Sequence, residues 1–205
     1  VTHTGWFNGK RITVLSTGIG TDNIDIVMNE LDAAVNINLE TRELNPKLRS
    51  LNIIRFGTSG ALQQEIPVNG IVVSSHGLGL DGLLNFYEGW KNVNETPISE
   101  AFMKHTNWQS NLPYPYCVKA SDALLEKFKS GNHIGITATA PGFYGPQGRE
   151  IRLKASAKNL NDLLTSFNHE GLKITNFEME TSALYGLGEM LGHNCLTACV
   201  IIANR

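Results

Sequence analysis

Residues 55–61 bring together a guanidinium, two hydroxyls and two glycines in the run RFGTSGA. The apolar residues 53–56 predict a short strand that ends at Gly57, so Thr58 and Ser59 and the neighbouring backbone N–H groups would lie at a carboxyl end of a sheet. Ligands of open α/β sheets bind at such ends, and N–H groups beside an arginine such as Arg55 suit a phosphate group. A polar turn after a buried strand explains the same composition equally well.

A second group of polar residues lies at a predicted junction between a strand and a helix, in the run NFEMET at residues 176–181. It holds two carboxylates, Glu178 and Glu180, two residues apart. A carboxylate at a helix N-terminus is stabilised by the helix dipole, and it can accept hydrogen bonds from both hydroxyls of a vicinal diol. Taken alone, a helix-capping role for Glu180 is the simpler interpretation.

A third group lies on a loop at residues 142–149, where glycines separate two aromatic residues, an amide and a guanidinium. The amide of Gln147 can donate and accept against the imide edge of a uracil ring, and Arg149 can stabilise negative charge on a carbonyl oxygen. An exposed surface turn is the alternative, although the aromatic rings of Phe143 and Tyr144 fit it poorly.

Strand and helix patterns alternate along the chain, which predicts a layered α/β fold. Predicted strands lie at residues 11–16, 53–56, 71–75, 133–140, 174–177 and 196–203, and predicted helices lie around residues 24–31, 121–131, 159–167 and 181–191. Two long irregular stretches, residues 77–96 and 108–116, are typical of functional loops or lids. No repeat or low-complexity linker divides the chain, so we expect one domain over residues 1–205.

Composition excludes several classes of function. The 205 residues include 17 basic and 19 acidic side chains, a formal charge of -2 that does not favour a nucleic-acid partner. The apolar stretches are shorter than the roughly 18 residues of a membrane span, and no signal segment opens the sequence, so we expect a cytoplasmic protein. The cysteines at 195 and 199, near His193, are only weak evidence for a metal site. Two buried thiols in the core are the favoured interpretation.

Three of these segments, with the turn STGIG at residues 16–20, resemble the nucleoside phosphorylase family in order and spacing over almost the entire chain. The similarity is greatest to its uridine phosphorylase branch, whose base-binding loop reads F-Y-x-x-Q-x-R, as do residues 143–149 here. The run Asn204-Arg205 also resembles that branch, because purine nucleoside phosphorylases carry a catalytic aspartate there. The turn at 16–20 lacks the G-x-G-x-x-G spacing of a dinucleotide site.

The resemblance implies a three-layer α/β fold with a central mixed sheet flanked by helices, assembled as a homo-oligomer, a hexamer built from dimers. It implies a nucleoside and inorganic phosphate as small-molecule partners, without a metal or another cofactor. It assigns phosphate binding to Arg55, Gly57 and Thr58, ribose binding to Thr58, Glu178, Met179 and Glu180, and base binding to Ser59, Gly60, Phe143, Gln147 and Arg149. The catalytic residues that it implies are Arg55, Arg149 and Arg205, the last supporting Arg149 at the base.

The activity that the resemblance implies is phosphorolysis of uridine to uracil and ribose 1-phosphate. Family members also carry a phosphate loop with glycine, aspartate and arginine, a second arginine donated to a neighbouring subunit, and a C-terminal helix. None of these is present in residues 1–205, so we expect further segments at both ends. The alternatives are a purine nucleoside phosphorylase or a nucleoside hydrolase on the same fold, or a non-catalytic nucleoside-binding homologue.

Overall fold

A computed structural model describes residues 2–204 of the chain. In the described residues the strands are β1 (Thr2–Phe7), β2 (Lys10–Leu15), β3 (Asn52–Ala61), β4 (Ile71–Gly79), β5 (Tyr116–Lys119), β6 (His133–Thr139), β7 (Asn168–His169), β8 (Leu172–Glu178) and β9 (Asn194–Asn204). The α-helices are α1 (Thr21–Asn36), α2 (Thr96–Thr106), α3 (Asp122–Phe128), α4 (Leu160–Ser166) and α5 (Thr181–Met190). Within these residues, no helix is long and apolar enough to span a membrane.

The central sheet is mixed and seven-stranded, with the order β3-β9-β4-β6-β8-β7 and with β5 paired to β4. Strands β4, β6 and β8 run parallel, so their carboxyl ends meet at one edge. The last residues of β3 also pair with β8, Gly60 opposite Phe177 and Ala61 opposite Asn176. This pairing closes β3, β9, β4, β6 and β8 into a ring, so the expected mixed sheet is confirmed and is also curved into a barrel.

Helices pack against the sheet in two separate apolar cores, which confirms the expected flanking layers. In one core, helices α1 and α5 cover β4 and β9, and α1 contributes Ile24 and Met28, which share one helical face because they are four residues apart. In the other core, α2 and α4 cover β6 and β8. Helix α5 is buried along residues 181–188, and its Gly186 leaves room for Leu84, whose Cδ1 would lie 2.3 Å from an added Cβ.

Several elements differ from the sequence prediction, which did not include α2, β1, β5 or β7. Strand β3 does not end at Gly57 but continues to Ala61, in parallel register with β9 and with one irregularity after Ser59. The predicted strand at 11–16 is the second arm of a hairpin, β1–β2, whose turn Asn8-Gly9 has positive φ at both residues, 46° and 72°. Such φ values are typical of two-residue hairpin turns.

Candidate active site

Glu178 is the last residue of β8, and it anchors the start of α5. Its carboxylate accepts hydrogen bonds from Thr139 Oγ1 at 2.7 Å, from the backbone N–H of Glu180 at 3.0 Å and from that of Thr181 at 3.1 Å. These bonds satisfy N–H groups that a helix leaves unpaired at its N-terminus. The capping function considered for Glu180 from the sequence therefore belongs to the side chain of Glu178.

The carboxylate of Glu180 points instead at groups from two distant parts of the chain. One oxygen accepts the backbone N–H of Gly20 at 2.7 Å, and the other forms an ion pair with Arg55 Nη2. Arg55 Nη1 also lies 3.2 Å from Glu178 Oε2. The structure therefore joins the predicted phosphate arginine and both predicted ribose carboxylates in one cluster, and Met179 lies half-buried between the carboxylates.

Burial and the neighbouring opposite charges shift the pKa values of this cluster in opposite directions. Burial disfavours the charged form of Arg55, but the nearby Glu178, Cys199 and Glu180 outweigh it, and the pKa of Arg55 is raised. For Glu178, burial raises the pKa, Arg55 lowers it and the like charge of Glu180 raises it again, with a net upward shift. The cluster carries two carboxylates against one guanidinium, so its charges do not cancel when all three groups are ionised.

Gly57 leaves the space in which the Arg55 guanidinium lies. A Cβ placed on Gly57 would be 2.5 Å from Arg55 Nη1, closer than two non-bonded atoms can approach. Arg55 and Gly57 are two residues apart on β3 and so share a face, whereas Thr58 lies on the alternate face and is exposed. The predicted contact of Thr58 with phosphate and ribose stays a prediction.

Ser59 is buried inside the barrel, and Gly60 lies beside it where β3 turns to pair with β8. The side-chain amide of Asn176 donates to Ser59 Oγ at 2.9 Å, and Thr137 Oγ1 donates to Asn176 Oδ1 at 2.7 Å. The Ser59 hydroxyl is therefore already hydrogen-bonded within the protein. Base contacts of Ser59 and Gly60 remain predictions.

The predicted base-binding loop is a compact unit in which a short 3-10 turn, Gly145–Gln147, brings its polar side chains together. Arg149 Nη1 donates to Gln147 Oε1 and to the Phe143 carbonyl, both at 2.6 Å. The Arg149 guanidinium also lies 3.8 Å from the centre of the Phe143 ring, a cation–π contact. Burial lowers the pKa of Arg149. An apolar cavity of about 680 Å³ adjoins this loop at Tyr144 and Arg149.

Some site residues were missed or fall outside the described structure. Thr139 and Gly20 hold the carboxylates of the cluster. Gly20 belongs to the turn at 16–20 that contributed to the family resemblance, but no contact was predicted for it, and Thr139 had no sequence signal. Arg205, the predicted support of Arg149, lies outside the described residues. The neighbouring Asn204 is described, and its amide donates to the carbonyls of Gln63 and Ile66 at 3.1 and 2.7 Å.

The whole sequence, residues 1–205, matches the family model described as the phosphorylase superfamily. The chain belongs to the phosphorylase superfamily. This assignment confirms the family resemblance seen in the motifs, because the match extends over all of the segments that carry them.

Individual members of the superfamily with similar sequences act on both kinds of base, according to their names. The uridine phosphorylase of Thermococcus kodakarensis is 30% identical over 209 residues, and the alignment covers 100% of this chain and 62% of that protein. The DeoD-type purine nucleoside phosphorylase of Clostridium perfringens is 28% identical over 201 residues, with 97% of this chain and 66% of that protein covered. The chain thus spans less than two thirds of the length of these relatives.

A solved structure shares the fold over the whole chain. It is the crystal structure of a Trypanosoma brucei nucleoside phosphorylase, whose description states that it shows uridine phosphorylase activity. The TM-score is 0.85 at 27% identity, and the match covers 100% of this chain and 74% of the other. The mixed sheet and flanking helices described above are therefore the architecture of a nucleoside phosphorylase.

Proposed function

We propose that this protein catalyses the phosphorolysis of uridine to uracil and ribose 1-phosphate. The observation that carries the proposal is the loop at residues 143–149, where Arg149 binds Gln147 and stacks on the Phe143 ring. An amide and a guanidinium fixed beside an aromatic face suit a planar base with an imide edge. The T. kodakarensis and T. brucei proteins, both connected by name or description with uridine phosphorolysis, support the same assignment.

In this proposal, the cluster around Arg55 binds the phosphate and the ribose. Phosphate bound by Arg55 attacks the anomeric carbon of the ribose, and the bond from that carbon to the base nitrogen breaks. Glu180 holds the ribose hydroxyls, so that the nucleophile and the leaving group stay aligned. For this to happen, Arg55 and Glu180 exchange part of their mutual ion pair for bonds to the two substrates.

Uracil leaves with the electron pair of the broken bond and takes up a proton from solvent. Arg149 and Gln147 stabilise the negative charge where it develops on the ring, which lowers the barrier to cleavage. Arg205 supports Arg149 in this role. Inorganic phosphate is a substrate, and we propose that no cofactor takes part, that the enzyme is cytoplasmic and that it assembles as a homo-oligomer, a hexamer of dimers.

A purine nucleoside is the second candidate substrate, favoured by the DeoD-type relatives. A purine leaving group is commonly assisted by protonation from a carboxylic acid. At the corresponding place in β9 this chain has Asn204, whose amide is hydrogen-bonded to two backbone carbonyls. An amide provides no such acid, so we propose that inosine and adenosine are poorer substrates by several orders of magnitude.

Base release from uridine and inosine, measured with the intact protein with and without phosphate, tests the proposal. We expect uracil and ribose 1-phosphate from uridine only when phosphate is present. Equal release without phosphate, with free ribose as product, would identify a hydrolase. Similar rates on inosine and uridine would identify a broad or purine enzyme, and uridine binding without base release would identify a non-catalytic homologue.

A further inference from the structure

Asp81 lies two residues beyond the end of β4, at the sheet edge that carries Thr139 and Glu178. Its carboxylate accepts hydrogen bonds from three donors: Tyr116 Oη, which lies 2.8 and 3.0 Å from its two oxygens, Ser182 Oγ at 2.8 Å, and the backbone N–H of Leu83 at 2.8 Å. Each donor comes from a different element or loop. The carboxylate therefore joins its own loop to β5 and α5, which are distant from it in the sequence.

The charge of Asp81 is not balanced by a cation within residues 2–204, where no lysine, arginine or histidine forms an ion pair with it. Burial raises its pKa, and the hydrogen bonds from Leu83, Ser182 and Tyr116 act in the opposite direction. A half-buried carboxylate without a cation still loses part of its hydration, and its hydrogen bonds and a helix N-terminus are the compensation available here. A carboxylate in this position therefore points to a specific structural function for Asp81.

Ser182 is in the first turn of α5, and it links Asp81 to the active-site cluster. While its hydroxyl donates to Asp81, its backbone N–H donates to Thr139 Oγ1 at 3.0 Å. The Thr139 hydroxyl in turn donates to Glu178 at 2.7 Å. A continuous set of hydrogen bonds therefore leads from Asp81 to the carboxylate that binds Arg55.

Ser182 and Tyr116 are packed closely against β4. A Cβ on Gly77 of β4 would lie 2.9 Å from Ser182 Cα, so the first turn of α5 rests directly on the strand backbone. A Cβ on Gly79 would lie 2.3 Å from the Tyr116 ring. The two glycines let the helix and the ring approach β4, and Asp81 then holds both through their hydroxyls.

We propose that Asp81 is a positioning residue that fixes the first turn of α5, and through it the carboxylates of Glu178 and Glu180 at the ribose site. The functional part of this inference rests on the proposed nucleoside phosphorolysis. Asp81 itself does not touch the substrate. It acts by keeping Glu180 at the position from which its oxygens bind the sugar hydroxyls.

The first test is hydrogen–deuterium exchange on Asp81→Asn, which keeps the shape of the side chain and removes its charge. The amides of residues 181–184 should exchange about tenfold faster or more, while those of α4 stay within about twofold of wild type. Asp122→Asn is the matched control, because Asp122 is an exposed aspartate paired with Lys119 at the start of α3. An even increase over all helices in Asp81→Asn would overturn the proposal.

The second test is a double-mutant cycle with Glu180→Gln, measured as kcat/KM for uridine. Asp81→Asn should lower this value about ten- to a hundredfold in the wild-type background and much less in the Glu180→Gln background, because both changes then affect the same contact. The loss should also be smaller for 2′-deoxyuridine, which has one hydroxyl fewer. Equal losses in both backgrounds would contradict the assignment.

Tyr116→Phe keeps the test decisive if Asp81→Asn folds poorly. It removes one donor to Asp81 and leaves the ring on Gly79, so it should give the same pattern with smaller changes. If the wild-type protein does not cleave uridine, the proposed function fails, and the exchange pattern still decides whether Asp81 fixes α5. Wild-type exchange at residues 181–184 in both variants would show that it does not.

Discussion

Replacing each carboxylate of the active-site cluster by an amide should separate stability from activity. Glu178→Gln places an amide N–H₂ group where one of two oxygens now accepts bonds: Oε1 from Thr139 and the Thr181 N–H, or Oε2 from the N–H groups of Glu180 and Thr181. At least one buried donor then faces another donor, at a cost of about 1–3 kcal/mol, and the added loss of a buried charge brings the total to about 2–5 kcal/mol. We expect the free energy of unfolding to fall by that amount.

Glu180→Gln should have the opposite profile. Its amide oxygen can still accept the Gly20 N–H, its N–H₂ group then faces Arg55, and Arg55 keeps Glu178 at 3.2 Å, so the loss of stability should be about 1–3 kcal/mol. Bonds from the two ribose hydroxyls each lose their charge assistance, worth about 1 kcal/mol apiece or slightly more. A total of about 2–3 kcal/mol corresponds to a fall of about 30- to 150-fold in kcat/KM for uridine.

Urea unfolding followed by tryptophan fluorescence and steady-state uracil release from the same preparations measure both quantities. The expected ranking is that Glu178→Gln is the less stable variant and that Glu180→Gln loses more activity per unit of lost stability. If Glu180→Gln destabilises the protein as much as Glu178→Gln and retains wild-type kcat/KM, the division of roles between the two carboxylates is wrong.

Three further predictions follow from individual contacts. Gly57→Ala should displace the Arg55 guanidinium, because the added methyl group would lie 2.5 Å from it. We expect phosphate binding about tenfold weaker, with little change in stability. A wild-type Kd for phosphate, measured by calorimetry, would contradict this. Arg149→Lys should lower kcat/KM for uridine at least about tenfold, because lysine keeps the charge but not the planar contact with Phe143, and full activity in that variant would show that charge alone suffices. The pKa of Asp81 is raised in the folded protein, so over a range of pH the folded protein holds a proton that the unfolded chain releases. The contribution of Asp81 to stability therefore falls as the pH rises from about 4 through the raised pKa. Asp81→Asn should lack that slope in urea titrations between about pH 4 and 7, and an unchanged slope would assign it to another group.

Most elements that follow local periodicity were predicted from the sequence, although α2 was missed, and those set by tertiary pairing were not predicted. The buried face of α1 and the strand-to-helix junction before α5 have clear signals, and both were confirmed. The predicted end of β3 at Gly57 was wrong because its last residues, including the polar Ser59, line a barrel interior that a pattern of apolar residues does not detect. Closure against β8 keeps this segment extended.

The candidate site was predicted as a set of residue types and not as a set of contacts. Arg55 and Glu180 were assigned to different substrates, and their direct ion pair follows only from the fold, since 125 positions separate them. The group of Asp81, Tyr116 and Ser182 had no sequence signal at all. No local pattern marks any of its members, and only their hydrogen bonds to the half-buried carboxylate of Asp81 distinguish them.

Closure of the barrel by β3 also determines when the site can exist during protein synthesis. Strand β3 leaves the ribosome well before both of its partners, β8 and β9, which follow it only after strands β4 to β7 and helices α2 to α4. Until they emerge, Arg55 lacks its carboxylates and β3 presents two unpaired edges. Pairings over such long separations form slowly, and exposed strand edges promote aggregation. We therefore expect that slowing the formation of β8 or β9 reduces the yield of soluble protein before it changes the structure of the molecules that do fold.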